Sequence, residues 1–195
     1  VKTSYLLIAL NQLFPPLEGD YVTFIGSTFV TYGEEESHLN HCICLNNTTN
    51  LEKKSQVIEC YDDEKDVLLA WTKVIQKEDP DIIIGYNIFG FDFAYMMDRV
   101  KVYCDPNKKK CDSSCSCKKF MDLGKINSMN NIVWKNHKSK KCGEKKIKVS
   151  TFGTTDYNRY IHMDGRIIYD LQKEVEKGHN LDSYKLDNVA AHFMR

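Results

Sequence analysis

The alternation of hydrophobic and polar positions changes character three times along the chain. Residues 19–35, GDYVTFIGSTFVTYGEE, are rich in Val, Thr, Phe and Tyr between turn signals at Gly19-Asp20 and Gly33. They read as extended structure, one long strand bent at Gly26. HCICL at 41–45 and SQVIECY at 55–61 are two more strands, separated by the polar turn NNTTNLEKK. A β-meander of three or four strands is therefore expected at the start. SYLLIAL at 4–10 also reads as a strand, because it is short and no small-residue cleavage pattern follows it. From Asp62 the spacing becomes helical. DDEKDVLLAWTKVIQKEDPD has acids first, apolar residues at 67, 68, 71, 74 and 75, lysines towards the end, and a stop at Pro80. Ile82–Ile84 has no polar face, as expected of a strand buried on both sides, and a second helix is expected over about 90–101.

Residues 102–146 are Lys- and Cys-rich and poor in large apolar residues apart from FMDLGKI and NNIVW. They read as an insertion or long loop. Extended segments return at 146–153 and 157–163, followed by GRIIYDL. The terminal LDSYKLDNVAAHFMR is expected to form a helix capped by Asp182 or Ser183. Strands followed by alternating helices and strands imply an α/β fold, a mixed sheet flanked by helices. No internal repeat is evident.

Composition refines this picture in two ways. The chain has 195 residues, enough for one domain with a core. Its zero net charge hides a strong asymmetry. Residues 1–100 carry seven basic against sixteen acidic residues, whereas residues 101–148 carry fourteen lysines against four acids. An acidic body with a basic insertion bears on any polyanionic partner. No apolar run approaches the roughly 20 residues that span a bilayer, so no membrane partner is expected. The eight cysteines are read as reduced thiols of an intracellular protein. The chain opens on Val1, which suggests a piece of a longer protein.

The passage DPDIIIGYNIFGFDFAYMMDR holds the main chemical question. Asp92 lies among Phe89, Phe91, Phe93, Tyr95, Met96 and Met97. An ionised carboxylate in such surroundings needs a cation, N–H donors or a metal. It could pair with Arg99 or a lysine, sit as a first-turn acid favoured by the helix dipole, or serve a site. Ligands of open α/β sheets collect beyond the carboxyl ends of strands. Asp92 follows a strand by one turn, beside Asn87, which can donate and accept hydrogen bonds, and Phe91, which offers a ring for a base. Gly85 and Gly90 do not make a dinucleotide or phosphate loop.

These residues resemble family B DNA polymerases. GYNIFGFDFAYMMDR is similar to that family's second exonuclease motif, in which Asn, three residues, Phe and Asp follow a strand. GRIIYDL before LDSYKLDNVAAHF resembles the segment leading towards the third motif, and FPPLEGDYVTFIGSTFVTYGE the stretch after the first. The likeness is to replicative enzymes of eukaryotes and large DNA viruses and covers most of the chain outside the insertion. It implies a ribonuclease-H-like fold and a proofreading 3′–5′ exonuclease, part of a DNA-directed DNA polymerase. It also implies two divalent ions, Mg or Mn, held by acids from separate motifs. Asp92 would be a catalytic metal ligand, while Asn87 and Phe91 would contact the single-stranded 3′ end of the primer. The partners implied are DNA and the remainder of a polymerase chain, in the nucleus or at a site of viral replication. The chain departs from the pattern in two places. Residues 1–17 contain no acid where the Asp-x-Glu pair of the first motif is sought, and the third motif would fall beyond Ala190. The fragment alone is therefore expected not to hydrolyse DNA; the alternative is a non-catalytic DNA-binding or scaffold module of the same fold.

In the insertion, Cys104, Cys111, Cys115 and Cys117 could enclose zinc, although their spacing is not the paired C-x2-C of well-attested sites. A lysine loop with incidental cysteines, or a redox role, are the other readings. His192, among Val189, Ala190 and Phe193, is expected in the core.

Overall fold

The computed structural model describes residues 20–49, 56–104, 115–126, 144–151, 154–161 and 163–194, with the backbone alone for 144–151 and 154–160. Strand β1, Phe24–Phe29, runs antiparallel to β2, Leu39–Leu45, with Phe24 opposite Cys44. Gly26 stands opposite Cys42 inside an uninterrupted strand, so β1 is not bent there. The chain turns at Gly33 instead, whose φ of 93° only glycine adopts readily. Strand β3, Gln56–Tyr61, pairs with β2 in parallel, Asn40 opposite Gln56. The opening sheet is therefore not a meander, which would need every neighbour antiparallel. Polar composition between two strands marks a connection but does not reveal whether the chain doubles back or crosses over.

Helix α1, Glu64–Glu78, forms where expected and buries Val67, Leu68, Trp71, Val74 and Ile75. It ends at Asp79, whose left-handed conformation (φ 47°) lets its N–H reach Ile75 O. Strand β4, Ile82–Gly85, follows, then helix α2, Asp92–Val102. The triple-isoleucine strand is not buried on both sides: Ile82 and Ile84 are 45% and 59% exposed. Among the described residues β4 has one neighbour, the parallel strand β7, Ile167–Asp170. An unbroken apolar run fixes hydrophobicity, and burial depends on what the rest of the chain lays over it.

Part of the basic stretch is core rather than loop. Helix α3, Ser116–Phe120, places Cys117 and Phe120 in the interior, and Met121 and Leu123 follow them in. Phe120 packs on Trp71 at 5.8 Å between ring centres, and Trp71 on Phe93 at 6.4 Å, so α1, α2 and α3 share one core. Backbone strands β5, Glu144–Thr151, and β6, Thr154–Ile161, make an antiparallel hairpin that leads into β7. Helix α4, Leu171–Gly178, and helix α5, Leu186–Phe193, complete the chain. Helix α5 starts one turn later than its caps suggested. Lys185 occupies the cap position without a side-chain hydrogen bond there, and Ser183 Oγ accepts only from Lys185 N, at 3.3 Å. His192 is exposed, packing edge-on against Phe193 at 4.8 Å, not in the core. The described architecture is mixed α/β, with its strands in three sheets ordered β1-β2-β3, β4-β7 and β5-β6.

Two buried arginines, each paired with an acid, hold these layers together. Glu64 is 3% and Arg99 4% exposed, and their side chains join through Nη2 to Oε2 at 2.6 Å and Nε to Oε1 at 2.8 Å. Tyr103 Oη and Val22 N also donate to Glu64, at 2.6 and 2.7 Å. Burial pushes Glu64 up, but these donors outweigh it and hold the carboxyl below its ordinary value. Arg166 donates to Leu123 O at 2.6 Å and to Pro80 O, and pairs with Asp79 at 2.8 Å. It thereby ties residues after α3 to the end of α1.

Candidate functional site

The parallel register of β4 and β7 sets Gly85 opposite Asp170, so two strands end side by side. Beyond that edge the chain makes a tight turn into α2. Asn87 adopts φ 57°, a left-handed conformation that asparagine tolerates better than most residues. Its carbonyl accepts from Gly90 N at 3.1 Å and Phe91 N at 2.9 Å. A Cβ on Gly90 would lie 2.2 Å from Asn87 Oδ1, so any side chain there would displace the Asn87 carboxamide.

Asp170 organises the turn. Its carboxylate is 2% exposed and accepts from Asn87 N at 2.8 Å, Phe89 N at 3.0 Å and Gln172 N at 3.1 Å. It thus caps α4 while fixing the backbone that presents Asn87. Asp170 is not among the residues singled out from sequence. Its signal was present, an acid at the end of GRIIYDL immediately before a helix, but two of its three partners, Asn87 and Phe89, lie more than 80 positions away in the chain.

Asp92 is the first residue of α2 and reaches solvent. Arg99, its candidate partner, is instead engaged by Glu64. Among the described residues Asp92 enters no ion pair, and the interior helix that would have demanded one is half open at this end. Desolvation by the surrounding protein raises its pKa above the usual carboxylate value. Its own backbone N–H partly opposes that, and the negative charge of Asp170 adds to it. Phe91 is 60% exposed and stacks on Tyr95, with ring centres 5.5 Å apart and planes 15° from parallel.

Asn87, Phe91 and Asp92 line one cleft of about 530 Å³. Its opposite wall is the loop before α5, including Ser183, Tyr184 and Lys185. That wall is tied down: Tyr86 Oη donates to Tyr184 O at 2.6 Å, Gln172 Nε2 to the same carbonyl at 3.2 Å, and Tyr184 Oη to His179 O at 2.7 Å. The structure brings together the three residues singled out from sequence and adds Tyr86, Gln172 and Lys185. The SYKL stretch that forms the wall was legible as a motif, but its side chains carried no signal of facing Asp92. Chemically the cleft offers one carboxylate, the two carboxamides of Asn87 and Gln172, the exposed ring of Phe91 and one lysine. Asp170 is buried and accepts from three N–H donors, so among the residues lining the cleft Asp92 is the one carboxylate placed as an arm of a divalent-cation site.

Of the four candidate thiols, Cys104, Cys115 and Cys117 come together, with sulfurs all within 4.8 Å of one another. Cys111 lies outside the described residues. These thiols sit at the far end of α2 from Asp92. No helix among the described residues is long and apolar enough to cross a membrane.

Comparison with known proteins identifies the family. The family described as "DNA polymerase family B, exonuclease domain" matches residues 8–189. The DNA polymerase of Pyramimonas orientalis virus is 39% identical over 191 residues, which is 98% of this chain and 14% of that protein. The DNA polymerase of Phaeocystis pouchetii virus is 35% identical over 95% of this chain and 17% of its own length. The DNA polymerase delta catalytic subunit of Dictyostelium discoideum is 30% identical over 94% of this chain and 14% of its own. The chain thus spans only about a sixth or a seventh of these relatives, and over that span it belongs to the exonuclease-domain family of family B DNA polymerases.

Proposed function

We propose that this chain is the part of a DNA-directed DNA polymerase's proofreading exonuclease that receives the single-stranded 3′ end of the primer, on a ribonuclease-H-like framework. The observation that carries the reading is the cleft beyond the parallel pair β4 and β7. There Asp92 reaches solvent with no cation against it among the described residues, between Asn87 and the Phe91–Tyr95 stack. The stack suits an unpaired base, because every base has a π-face. Asn87 suits a sugar or base edge, and Lys185 a phosphate. Asp92 would supply one arm of the site for Mg or Mn; such ions activate water and neutralise the leaving oxygen when their full ligand set is present. A lone carboxylate holds Mg weakly, so no hydrolytic step follows from the described residues.

The test is a 3′-labelled single-stranded oligonucleotide, incubated with the chain and Mg or Mn, while binding is followed by fluorescence anisotropy. Binding without cleavage is expected. Metal-dependent cleavage that disappears in Asp92→Ala would show that the chain carries a complete nuclease. Absence of any binding would remove the 3′-end reading. A second reading, a non-catalytic DNA-binding module of the same fold, is favoured by one observation: Asp170, the other acid at the strand ends, is buried and already accepts from three backbone donors. Joining the chain to the flanking segments of its parent separates the two readings, since only the enzyme then gains metal-dependent cleavage.

A further inference from the structure

The three thiols at the far end of α2 lie outside everything the exonuclease reading uses. Cys104 directly follows the end of α2, with its N–H bonded to Lys101 O at 3.1 Å. Cys115 is the cap residue of α3 and Cys117 lies in its first turn, 1% exposed. Two elements that are separate in sequence therefore aim three sulfurs at one point. Cys104 Sγ and Cys115 Sγ are 3.2 Å apart, and all three sulfurs fall within 4.8 Å of one another. Tetrahedral zinc with Zn–S bonds of about 2.3 Å separates its sulfurs by about 3.8 Å. A closest pair at 3.2 Å and a spread within 4.8 Å suit that value with small side-chain adjustments. An iron–sulfur cluster, in which each thiolate binds a different iron, would need the sulfurs spread more widely.

We propose that Cys104, Cys115 and Cys117 bind one zinc ion as thiolates, in a tetrahedral site whose fourth position is open to water or another donor. Binding converts three thiols to thiolates, releases three protons to solvent and leaves the metal group with one net negative charge. Lys118 and Lys119, which follow the ligands directly, offset that charge. The ion staples the end of α2 to α3, whose Phe120 anchors in the core. This fixes the helix that begins at Asp92 from its opposite end. The rival arrangement is oxidation of the Cys104–Cys115 pair to a disulfide, which would use two of the three sulfurs and leave no metal site.

The test uses the whole 195-residue chain, expressed with added zinc, purified under reducing conditions and passed over a weak chelator. Elemental analysis is expected to find one zinc per chain. Replacement by cobalt(II) is expected to give thiolate-to-metal charge transfer and the d–d intensity of a tetrahedral ion. C104S and C115S, both at partly exposed positions, are each expected to weaken zinc at least tenfold while circular dichroism stays unchanged. C60S, at an exposed strand position, should retain it. Should C104S or C115S unfold, protection of the wild-type thiols from alkylation by zinc, and its loss on chelation, reads the same site. A metal-free chain with readily alkylated thiols would overturn the proposal. So would a disulfide seen by mass, or zinc held equally by the double variant C104S/C115S. None of these outcomes depends on whether the cleft binds DNA.

Discussion

Glu64 and Asp92 are two acids under opposite influences. Donations from Arg99, Tyr103 and Val22 keep Glu64 ionised in the core. Removing one partner of such a pair leaves the other charge buried, so Glu64→Gln should cost about 3–5 kcal/mol in urea denaturation. Because its folded pKa is lowered, the contribution of Glu64 is present above the unfolded value, about 4.3, and is lost as pH falls through the folded one. Tyr103, raised to about 12 by burial and then by Glu64, should stay protonated through any ordinary assay. Asp92 has the reverse sign. Its pKa is raised, so its ionised form opposes folding at neutral pH, and protonation relieves that as pH falls. Asp92→Asn should therefore raise the Tm slightly in the absence of divalent metal and abolish any metal-dependent increase. A Tm that falls would mean the carboxylate is structural. At the lip of the cleft, Phe91→Ala should weaken single-strand binding by about 1–3 kcal/mol. With that ring 60% exposed, urea stability should hardly change.

At the scale of elements, the site is a turn held from both sides. Asp170 at the end of β7 fixes the Asn87 and Phe89 backbones, and Gly90 lets Asn87 fold against the turn. Asp170→Asn replaces one accepting oxygen with an NH2 facing an N–H donor. It should lower single-strand affinity and cost about 1–3 kcal/mol of stability, even though Asp92 is unchanged. Equal affinity in that variant would show that the turn does not need its clamp. The spacing of Asn87, Phe91 and Asp92 was legible because it is local, three residues of one turn entering a helix. The clamp was not, because it depends on a parallel pairing between residues about 85 apart. The direction of β3 was hidden for the same reason: a strand's hydrophobic pattern records its faces, not its neighbour's polarity. Helix α1 was readable from periodicity, acids at its start and bases at its end. Phe120 and Leu123 were discounted because the lysines around them dominated the composition of the segment.

Over the whole molecule, charge and architecture separate. The acidic first hundred residues supply one wall of the cleft, and the basic stretch from 101 to 148 carries fourteen lysines. If those lysines meet phosphates, binding of single strands should weaken with salt. Lys108, Lys109 and Lys110 changed together to Gln should then flatten the plot of log affinity against log salt. An unchanged slope would make them plain solvated surface. The α/β class followed from the order of strands and helices, but the exposure of Ile82 and Ile84 did not, because it depends on what covers the sheet. The central claim is that Asp92 stands at the edge of β4 to hold a divalent cation beside a strand end. Titrating manganese into the nitrogen-15-labelled chain tests this most directly. Paramagnetic broadening should centre on the amides of Tyr86 to Asp92 and Ser183 to Lys185 and vanish in Asp92→Asn. Broadening centred elsewhere, or persisting in that variant, would contradict it.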